Sequence, residues 1–509
     1  MNLRMSAGQA QLLPRFLNRL PKESARSGTL NMLLSELIKG LKYRKMINFN
    51  DTEIKSIEYD SRKIKPGSVF VAISGENYDG HNFVPDAHKK GAVMFVTQKI
   101  VDLKLPQIIV KDTRIALTQL AQRFYKDTEE INKIGITGTN GKTTSAFLTH
   151  SILLAAGRNP GLIGTIYYLC DNERIKAERT TPESLDLFRL IDKFKKMGAR
   201  DVVMEVSSHA LVLQRVAGFE FQVAVFTNLS QDHLDFHRTI EDYKRAKLRI
   251  FSLLKKDGFA VVNMDDRVYP EIEAMKLKNL LKFGTKEGAD VTGKIINTSL
   301  NGLKVSINYN GENYIINSNL VGDFQIYNIL SSFAIGVALE IPISIIVKGI
   351  ENLKGVRGRL ERIGDGIFID YAHTPQALEN VLLALKRFPH RRLIVIFGCG
   401  GDRDKDKRPK MGKIASEIAD YVIITTDNPR SEDPERIIRD IEKGITGDNY
   451  KIIEDRKEAI EYGVGIREKG DILLIAGKGH EEYQILKDRK IPFDDALIVR
   501  EFLKENIDV

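Results

Sequence analysis

Short apolar runs that alternate with amphipathic, helix-forming stretches make up most of the chain. Runs of β-type residues at 131–136, 201–206 and 223–228 predict strands, and helical spacing occupies much of the sequence around them. Regular alternation of strands and helices is typical of a mostly parallel sheet with helices packed on its faces. The pattern therefore predicts an α/β fold.

The same pattern divides the 509 residues into three regions that follow a basic N-terminal extension. At ordinary domain sizes this length corresponds to roughly three domains. Residues 289–319 change to an alternation punctuated by glycine and asparagine, which predicts antiparallel hairpins attached to the central sheet. The predicted boundaries are 1–31 for the extension, 32–111 for the first domain, 112–356 for the central domain and 357–509 for the third domain.

Each of three apolar runs in the third region is followed at once by a polar or glycine-rich cluster. Ligands bind at the carboxyl ends of strands in doubly wound sheets, so these clusters are expected to form one pocket. Together they offer two arginines, two carboxylates and an amide, a set that suits a zwitterion. Three unrelated surface turns are the alternative. The runs are 392–397, 421–425 and 471–476, and the clusters are 398–404, 427–430 and 477–481.

The most informative stretch lies at residues 134–144, where a strand enters a glycine-rich turn and a helix (145–156) leaves it. It reads Ile-Gly-Ile-Thr-Gly-Thr-Asn-Gly-Lys-Thr-Thr. Glycines let backbone N–H groups close around a phosphate, and a helix N-terminus favours the anion. Lys142 could neutralise the outer phosphates, and the Thr143 hydroxyl could hold Mg²⁺. The stretch therefore predicts a nucleoside-triphosphate site. The strict P-loop pattern has glycine at the position that Ile136 occupies here. The alternative is a glycine-rich turn in which the lysine has no role in phosphate binding.

Other residues with chemical potential follow neighbouring strands. Glu205 lies where an NTPase places the acid beside its metal, or else it caps a helix. His233 lies in a segment dense in metal-capable groups and could bind a divalent ion or be a structural histidine. Physical arguments alone predict that Lys247, on a helix with a basic face, is solvated. An arginine at 357 or 359 could reach a phosphate if the central and third regions face each other.

Composition adds information on compartment and membranes. Hydrophobic residues make up 42% and charged residues 28% of the chain, so a large core is available. Cys170 and Cys399 cannot form a disulfide framework, which favours a reducing compartment, and we expect a cytoplasmic protein. The longest apolar candidate for a membrane span, 329–347, contains Glu340 and Pro342 and reads better as a buried helix followed by a break.

The formal net charge of +9 is unevenly distributed. Residues 1–31 carry a net charge of +4, which leaves +5 for the remainder, a modest excess that suits anionic substrates. We expect no nucleic-acid partner. The extension lacks the long apolar core of a secretory signal. It could be an organelle transit segment, a flexible arm, or the result of a mis-assigned start codon, with the true start at Met32. The last two interpretations are favoured.

Taken together, these motifs resemble a known family, the Mur ligases, which are ATP-dependent amino-acid ligases of peptidoglycan synthesis, and most closely its MurE branch. The resemblance covers nearly all of residues 32–509, in the family's order and spacing. The loop at 137–143 is similar to the family's own variant of the phosphate loop, which accounts for Ile136. The other matching motifs are Asp-Ser-Arg at 60–62, Thr-Thr-Pro at 180–182, and the segments 205–209, 232–235, 370–375, 398–403 and 427–430.

The resemblance implies an N-terminal UDP-sugar-binding domain, a central P-loop ATP-binding domain with a parallel sheet, and a C-terminal Rossmann-like domain that closes over the substrates. It also implies four sets of site residues. Nucleotide contacts would be Gly138, Thr139, Asn140, Gly141, Lys142, Thr143, Thr144, Asn328, Arg359 and Asp370. Contacts to the UDP-muramoyl substrate would be Ser61, Thr180, Thr181, Ser207 and Arg215. The incoming amino acid would meet Arg403, Asp427, Asn428, Arg430, Gly477 and Glu481. Mg²⁺ would be held by Thr143, Glu205 and His233, and also by Lys247 if CO₂ carbamylates it. The catalytic residues would be Lys142, Glu205, His233 and Lys247.

The implied reaction joins an amino acid to UDP-MurNAc-L-Ala-D-Glu through an acyl phosphate made from ATP. The Asp-Asn-Pro-Arg sequence at 427–430 resembles that of members which add meso-diaminopimelate. Arg430 could pair with the second carboxylate of diaminopimelate, whereas the side-chain ammonium of lysine would be repelled. We expect a monomer that works on small-molecule substrates.

Two positions depart from the family pattern, and two alternatives stay open. Gln325 stands where the family usually has asparagine, and Leu213 stands where some members have glutamine. A folylpolyglutamate synthetase would share the phosphate loop but would not be expected to carry the motifs at 60–62 and 427–430. A non-catalytic plastid relative that joins a transcription complex is supported by the basic extension alone.

Overall fold

A computed structural model describes residues 32–75, 78–102, 104–487 and 489–505. The chain forms two compact units, Met1–Ile109 and Val110–Val509. The predicted extension 1–31 lies outside the described residues. The boundaries predicted at 111/112 and 356/357 stay predictions.

The first unit is built around a mainly parallel sheet. Its elements in chain order are β1 (Met32–Leu33), α1 (Leu34–Leu37), β2 (Tyr43–Ile47), β3 (Glu53–Ile54), β4 (Ser56–Glu58), β5 (Ser68–Val71), α2 (Val84–Lys89), β6 (Ala92–Thr97) and β7 (Gln107–Val110). The sheet order is β2-β7-β6-β5-β4, with β4 to β7 parallel, and β1 pairs with β3. All four residues of β5 are buried, as expected for a strand inside a parallel sheet.

The second unit begins with helices and strands that alternate along the chain. They are α3 (Thr113–Phe124), β8 (Asn132–Thr137), α4 (Lys142–Ala155), β9 (Pro160–Ile163), β10 (Tyr167–Cys170), β11 (Glu173–Lys176), α5 (Ser184–Lys196), β12 (Asp201–Glu205), α6 (Ser208–Val212), β13 (Phe221–Phe226), α7 (Leu234–His237), α8 (Ile240–Leu248), β14 (Leu254–Asn263), α9 (Tyr269–Ala274), β15 (Leu280–Gly284), β16 (Val291–Ser299), β17 (Gly302–Tyr309), β18 (Glu312–Ser318), α10 (Gln325–Ala338) and α11 (Ile343–Asn352).

In the described residues these strands form one eleven-stranded sheet. Its order is β11-β10-β9-β12-β8-β13-β14-β15-β16-β17-β18. The run from β9 to β16 is parallel, whereas β10 and β11 at one edge and β17 and β18 at the other are antiparallel. The hairpins predicted at 289–319 are therefore confirmed as the β16–β18 edge.

A second doubly wound sheet completes this unit. Its elements are β19 (Glu361–Gly364), β20 (Ile367–Asp370), α12 (Pro375–Lys386), β21 (Leu393–Phe397), α13 (Lys407–Ile418), β22 (Tyr421–Ile424), α14 (Pro434–Glu442), β23 (Tyr450–Ile452), α15 (Arg456–Gly465), β24 (Ile472–Ala476), β25 (Tyr483–Leu486), β26 (Arg489–Pro492) and α16 (Asp495–Glu505). The strand order is β19-β20-β24-β21-β22-β23, parallel from β20 to β23, and β25 pairs with β26 as a separate hairpin.

Helices cover both faces of this second sheet. In β21, Val395 and Phe397 pack on the side of α12, α13 and α14, while Ile394 and Ile396 pack on the side of α15 and α16. A strand buried on both faces is apolar at consecutive positions rather than at alternate ones. Each such side chain contributes roughly 2 kcal/mol by its burial. The fold class predicted from the sequence, α/β with parallel sheets, is confirmed.

The apolar segment 329–347 proves to be parts of two helices, of which α10 is mostly buried and α11 is partly exposed. The first, α10, ends at Ala338, and Pro342 immediately precedes α11, so the predicted break is confirmed. Ile329 and Phe333 are fully buried in the core beneath the central sheet. Among the described residues, we find no helix with the length and apolarity needed to cross a bilayer.

One helix boundary was predicted too late. The helix expected at 145–156 begins at Lys142 and ends at Ala155. Gly141 adopts φ +85° and ends the turn abruptly, so the next residue is already helical. Lys142, Thr143 and Thr144 consequently form the first turn of α4, where backbone N–H groups have no partner within the helix.

Candidate active site

Three adjacent strands of the central sheet bring polar residues to one edge. Strands β12, β8 and β13 are neighbours, with Glu205 opposite Ile136 and Phe226 opposite Thr137. The carboxyl ends of parallel strands meet at the same edge of a sheet. The phosphate loop that follows β8 therefore lies between Glu205 and the segment 227–230 that follows β13.

The segment after β13 holds the phosphate loop in shape. The Thr139 and Asn140 N–H groups donate to the Asn228 carbonyl and side-chain oxygens, both at 2.9 Å. The Thr227 hydroxyl donates to the Asn140 carbonyl at 2.7 Å. Gly138, at φ +146°, fits against Thr227 so closely that an ideal Cβ would lie 1.8 Å from the Thr227 hydroxyl oxygen. The loop is thus preformed by hydrogen bonds and by close backbone packing.

We expect Gly138→Ala to weaken nucleotide binding by about tenfold or more. The added methyl group must displace Thr227, and its positive φ costs roughly 1–2 kcal/mol in itself. Isothermal titration with ADP measures the effect. The matched control is Gly157→Ala: Gly157 also has positive φ, +70°, but nothing lies within 4 Å of its ideal Cβ. Equal ADP affinity in both variants would contradict the packing argument.

Two lysines converge on one carbonyl of the loop. The ammonium groups of Lys142 and Lys247 donate to the Gly138 carbonyl at 2.8 Å and 2.7 Å. Burial lowers the pKa of both lysines, well below the usual value for Lys247, and the charge of Lys142 lowers the pKa of Lys247 further. Lys247 is only 1% exposed, so the prediction of a solvated lysine was wrong. Helical periodicity did show a basic face, but α8 turns this residue towards the loop.

Glu205 is linked to the first turn of α4. Its carboxylate accepts from the Thr143 hydroxyl at 2.9 Å, and also from the Thr165 hydroxyl and backbone N–H at 3.0 Å and 2.8 Å. Glu205 is buried and these contacts are not those of a helix cap. Hydroxyl and carboxylate oxygens are the ligands that Mg²⁺ prefers, so Thr143 and Glu205 have the right chemistry for it.

His233 lies on an exposed turn. Its φ is +53°, and its imidazole stacks edge-on against His209 with 4.9 Å between ring centres. Within the described part of the chain, no three His, Cys, Asp or Glu side chains are close enough together to form a metal site. The predicted metal role of His233 stays a prediction.

Arg359 reaches the phosphate loop from the segment that precedes β19. Its guanidinium lies 3.4 Å from the Thr143 hydroxyl oxygen and 5.0 Å from the centre of the Tyr371 ring. Asp370 fixes the turn beside it by accepting from the Leu360 and Ala372 backbone N–H groups at 2.7 Å and 2.8 Å. The expectation that an arginine of this region faces the phosphate loop is therefore met by Arg359.

Asn328 approaches the loop from the opposite side. The ideal Cβ of Gly141 would lie 2.3 Å from its side-chain oxygen. That oxygen accepts from the Ser145 hydroxyl at 3.3 Å, and the Asn328 amide donates to Gln325 at 2.7 Å. Gln325, the departure from the family pattern, thus orients Asn328.

Most residues predicted for the muramoyl substrate form one cluster next to Glu205. The Thr181 hydroxyl donates to the Glu205 carbonyl at 2.8 Å and accepts from the Ser207 N–H at 3.0 Å. The Thr180 and Thr165 hydroxyls lie 3.1 Å apart. The Arg215 guanidinium donates to the Thr181 carbonyl at 3.1 Å.

Glu183 is the carboxylate on which three arginines converge in this cluster. It accepts from Arg215 and Arg179 at 2.9 Å and from Arg114 at 3.1 Å. Burial lowers the pKa of Arg215, and the Glu183 carboxylate opposes that shift. Sequence reasoning missed Glu183, because Arg114 and Arg215 lie 69 and 32 residues away from it along the chain.

Ser61, the remaining muramoyl prediction, belongs to the first unit. It is buried at the start of a one-turn 3₁₀ helix, Ser61–Lys63, which Asp60 caps by accepting from the Arg62 N–H at 3.0 Å. The Ser61 carbonyl accepts from the Lys90 ammonium at 3.1 Å. The Asp-Ser-Arg motif is thus a locally ordered turn.

The turns after β24, β21 and β22 converge, as the sequence predicts. The Asn428 amide donates to the Glu481 carboxylate at 2.8 Å, and an ideal Cβ on Gly477 would lie 2.8 Å from the Asp427 carboxylate. The Arg430 guanidinium donates to the Gly401 carbonyl at 2.7 Å. Arg403 is exposed and donates only to the neighbouring Asp402 carbonyl at 3.0 Å among its described contacts.

Lys478 is a residue that sequence reasoning missed in this pocket. It is fully buried, and its ammonium donates to Asn428 and Glu481 at 3.1 Å each. A lysine between two glycines reads as a surface turn. Its role becomes visible only when the turn after β24 is placed against the turn after β22.

A cavity of about 220 Å³ lies between the muramoyl cluster and the turn after β24. Thr180 and Thr165 line one side, and Glu481, His480 and Tyr371 line the other. Burial and the nearby charge of Arg359 lower the pKa of His480 to about 3, so this imidazole is neutral at physiological pH. The remaining lining residues are Ile166, Tyr167, Lys176, Ala177, Glu178, Arg179, Glu482 and Tyr483.

A phosphate loop on a parallel sheet, together with a doubly wound sheet whose arginine reaches that loop, indicates a P-loop nucleotide-binding enzyme. The chain belongs to the Mur ligase family. Family models described as Mur ligase family catalytic domain, Mur ligase middle domain and Mur ligase glutamate ligase domain match residues 53–125, 136–336 and 358–479.

Individual relatives cover most of the chain. A UDP-N-acetylmuramoyl-L-alanyl-D-glutamate–2,6-diaminopimelate ligase of Bacillus velezensis is 44% identical over 460 residues, which are 88% of this chain and 94% of the relative. A solved structure of a ligase with the same name is 30% identical, with a TM-score of 0.68, and covers 94% of this chain and 100% of its own. A MurF ligase from Thermotoga maritima, solved in complex with ADP, shares the fold at 20% identity and a TM-score of 0.63, covering 89% of this chain and 98% of its own.

Proposed function

We propose that this enzyme adds meso-2,6-diaminopimelate to UDP-MurNAc-L-Ala-D-Glu at the expense of ATP, in the synthesis of peptidoglycan precursors. The cavity between Thr180 and Glu481 carries the proposal. One wall belongs to the predicted muramoyl cluster and the other to the predicted amino-acid pocket. An acyl acceptor and an amine that entered from these two sides would meet in this cavity.

The surrounding groups suit an acyl-phosphate route. A carboxylate is a poor electrophile, and phosphorylation of the D-Glu side chain by ATP would make it reactive. Lys142 and Arg359 both lie at the phosphate loop and would stabilise charge on the phosphoryl group during transfer. The amine would then attack the carbonyl carbon, the C–N bond would form, and phosphate would leave. Exclusion of water from the cavity would protect the acyl phosphate from hydrolysis.

Metal binding would complete the phosphate site. Thr143 and Glu205 would hold Mg²⁺ beside the nucleotide, with His233 and a carbamylated Lys247 as the further predicted ligands. Mg²⁺ would supply charge neutralisation at the transferring phosphoryl group. Carbamylation suits Lys247, because its buried amine shares the Gly138 carbonyl with Lys142 and CO₂ addition would replace a second positive charge by a negative one.

The pocket for the amino acid suits diaminopimelate. Asp427 and Glu481 would hold its ammonium groups, and Asn428 and Arg430 would hold its carboxylates. The function implies small-molecule partners and a cytoplasmic location, and we expect a monomer.

The proposal is tested by measuring phosphate release from ATP with Mg²⁺ and UDP-MurNAc-L-Ala-D-Glu, with and without meso-diaminopimelate. We expect sustained release only when the amino acid is present. A parallel assay replaces the muramoyl substrate with a folate acceptor and L-glutamate. Equal release without any amino acid, or turnover with the folate acceptor alone, would contradict the proposed function.

A further inference from the structure

Arg408 is an unusual residue at the start of α13. Its side chain is fully buried and lies in the first turn of the helix, where the helix dipole disfavours a cation. A buried guanidinium is strongly destabilising unless carboxylates pair with it. The side chain therefore depends on its partners, and one of them, Glu432, directly follows the turn that carries part of the predicted amino-acid pocket.

Two carboxylates pair with Arg408. Its guanidinium forms a two-pronged contact with Glu432, at 2.9 Å and 3.1 Å, and a third bond with Asp440 at 3.1 Å. Glu432 follows the Asp-Asn-Pro-Arg sequence by two residues, and Asp440 lies on α14. The hydrogen bonds from Arg408 lower the pKa of Glu432 to about 2, so this carboxylate stays ionised.

Glu432, which Arg408 holds in place, also forms a hydrogen bond with the glycine-rich turn after β21. The same carboxylate accepts from the Asp402 N–H at 2.6 Å. Asp402 in turn accepts from the Ser431 hydroxyl at 2.6 Å and the Ser431 N–H at 3.2 Å. The Gly401 N–H donates to the Asn428 carbonyl at 2.9 Å. The two turns are thus tied together on both sides of Arg430.

The Arg430 side chain is held by that arrangement, while the Arg430 N–H donates to the Ile485 carbonyl at 3.1 Å and the Arg430 carbonyl accepts from the Lys487 N–H at 2.7 Å. The Arg430 guanidinium donates to the Gly401 carbonyl, one residue from Asp402. Both Arg430 and Asp402 have φ +53°, in the left-handed region that side chains other than glycine adopt only when their surroundings hold them there. An ideal Cβ on Gly401 would lie 1.9 Å from the Pro429 carbonyl oxygen, so the contact has no room for another arrangement.

We propose that Arg408 is a positioning residue for amino-acid selection, acting through Glu432 on the backbone that holds the Arg430 guanidinium. Loss of its guanidinium leaves Glu432 with only the exposed Lys405 ammonium, at 3.5 Å, and Asp440 with only the exposed Lys443 ammonium, at 2.7 Å. Glu432 then turns towards solvent, the Asp402 N–H loses its acceptor, and the Gly401 carbonyl no longer holds Arg430. The proposal rests on the proposed function, in which Arg430 recognises the second carboxylate of diaminopimelate.

Kinetics of Arg408→Met in the full-length enzyme test this role. We expect the KM for meso-diaminopimelate to rise by about tenfold or more, and the preference for diaminopimelate over lysine to fall by a similar factor, while the KM for ATP stays within about twofold. Glu432→Gln keeps the side-chain volume, leaves Arg408 paired with Asp440, and should give a smaller change in the same direction. This second variant tests the positioning role if Arg408→Met does not fold.

Arg392→Met is the matched control. Arg392 pairs with the fully buried Asp471 at 2.6 Å, before the first residues of β21 and β24 and therefore at the opposite end of the sheet from the pocket. It should lower thermal stability without changing either KM. Unchanged KM and unchanged amino-acid preference in folded Arg408→Met and Glu432→Gln would overturn the proposal. If the native enzyme itself does not use diaminopimelate, the proposed function fails, whereas the positioning role is still decided by the KM for the amino acid that it does use.

Discussion

Replacement of Arg430 by alanine is expected to remove most of the preference for diaminopimelate over lysine. Loss of one partner from a buried, hydrogen-bonded charge pair costs roughly 2–5 kcal/mol, which corresponds to a fall of about 30-fold to 4,000-fold in kcat/KM for diaminopimelate. Lysine has no second carboxylate, and its side-chain ammonium would no longer face the charge of Arg430, so its own kcat/KM should stay the same or rise. Steady-state kinetics with each amino acid measure the two values separately.

A matched control separates charge recognition from general damage. Arg439 lies on α14 in the same part of the chain, with its side chain 58% exposed and paired to Glu435 at 3.0 Å. Arg439→Ala should leave both kcat/KM values unchanged, because exposed helix pairs contribute little. An Arg430→Ala enzyme that keeps the native preference would show that the second carboxylate is recognised elsewhere.

Replacement of Lys247 by alanine is expected to lower kcat by about 10²–10³-fold, the usual cost of removing one stabilising group from a preorganised phosphoryl-transfer site. If the active form carries a carbamate, native activity should also fall when CO₂ and bicarbonate are removed and recover when they are returned. The alanine variant should not respond to bicarbonate. Enzyme incubated with ¹³C-bicarbonate should show a carbamate carbon signal that the variant lacks.

Arg245→Ala is the control for this experiment. Arg245 lies two residues away on α8 but points to solvent, with its side chain 67% exposed and paired to Asp242 at 2.6 Å. It should keep native activity and the native bicarbonate response. Full activity in Lys247→Ala, or a native enzyme indifferent to bicarbonate removal with no carbamate signal, would contradict the predicted modification.

Much of the fold could be predicted from the sequence because its physical signals are local. Apolar runs buried on both faces, such as β21 and β24, are recognisable without knowledge of their neighbours. The break at Pro342 was predictable for the same reason, since proline cannot continue a helix. The convergence of the turns at 398–404, 427–430 and 477–481 followed from the rule that ligands bind at the carboxyl ends of parallel strands.

The contacts that the sequence did not reveal are those between distant segments. Lys247 looked solvated because helical periodicity locates a basic face but does not show what packs against it. Glu183, Lys478 and Arg408 gave no signal, because each pairs with residues at other turns or helices. The start of α4 at Lys142 depended on the backbone of Gly141, which composition alone does not determine.

The central claim is the joining of diaminopimelate to the muramoyl dipeptide, and product mass tests it most directly. Purified enzyme is incubated with ATP, Mg²⁺, UDP-MurNAc-L-Ala-D-Glu and equal concentrations of meso-diaminopimelate and L-lysine. The masses of the nucleotide-linked products are then measured by mass spectrometry. We predict that nearly all of the product carries diaminopimelate and forms with one ADP and one phosphate per amide bond. A product that carries mainly lysine, or ATP hydrolysis without any amide product, would contradict the account.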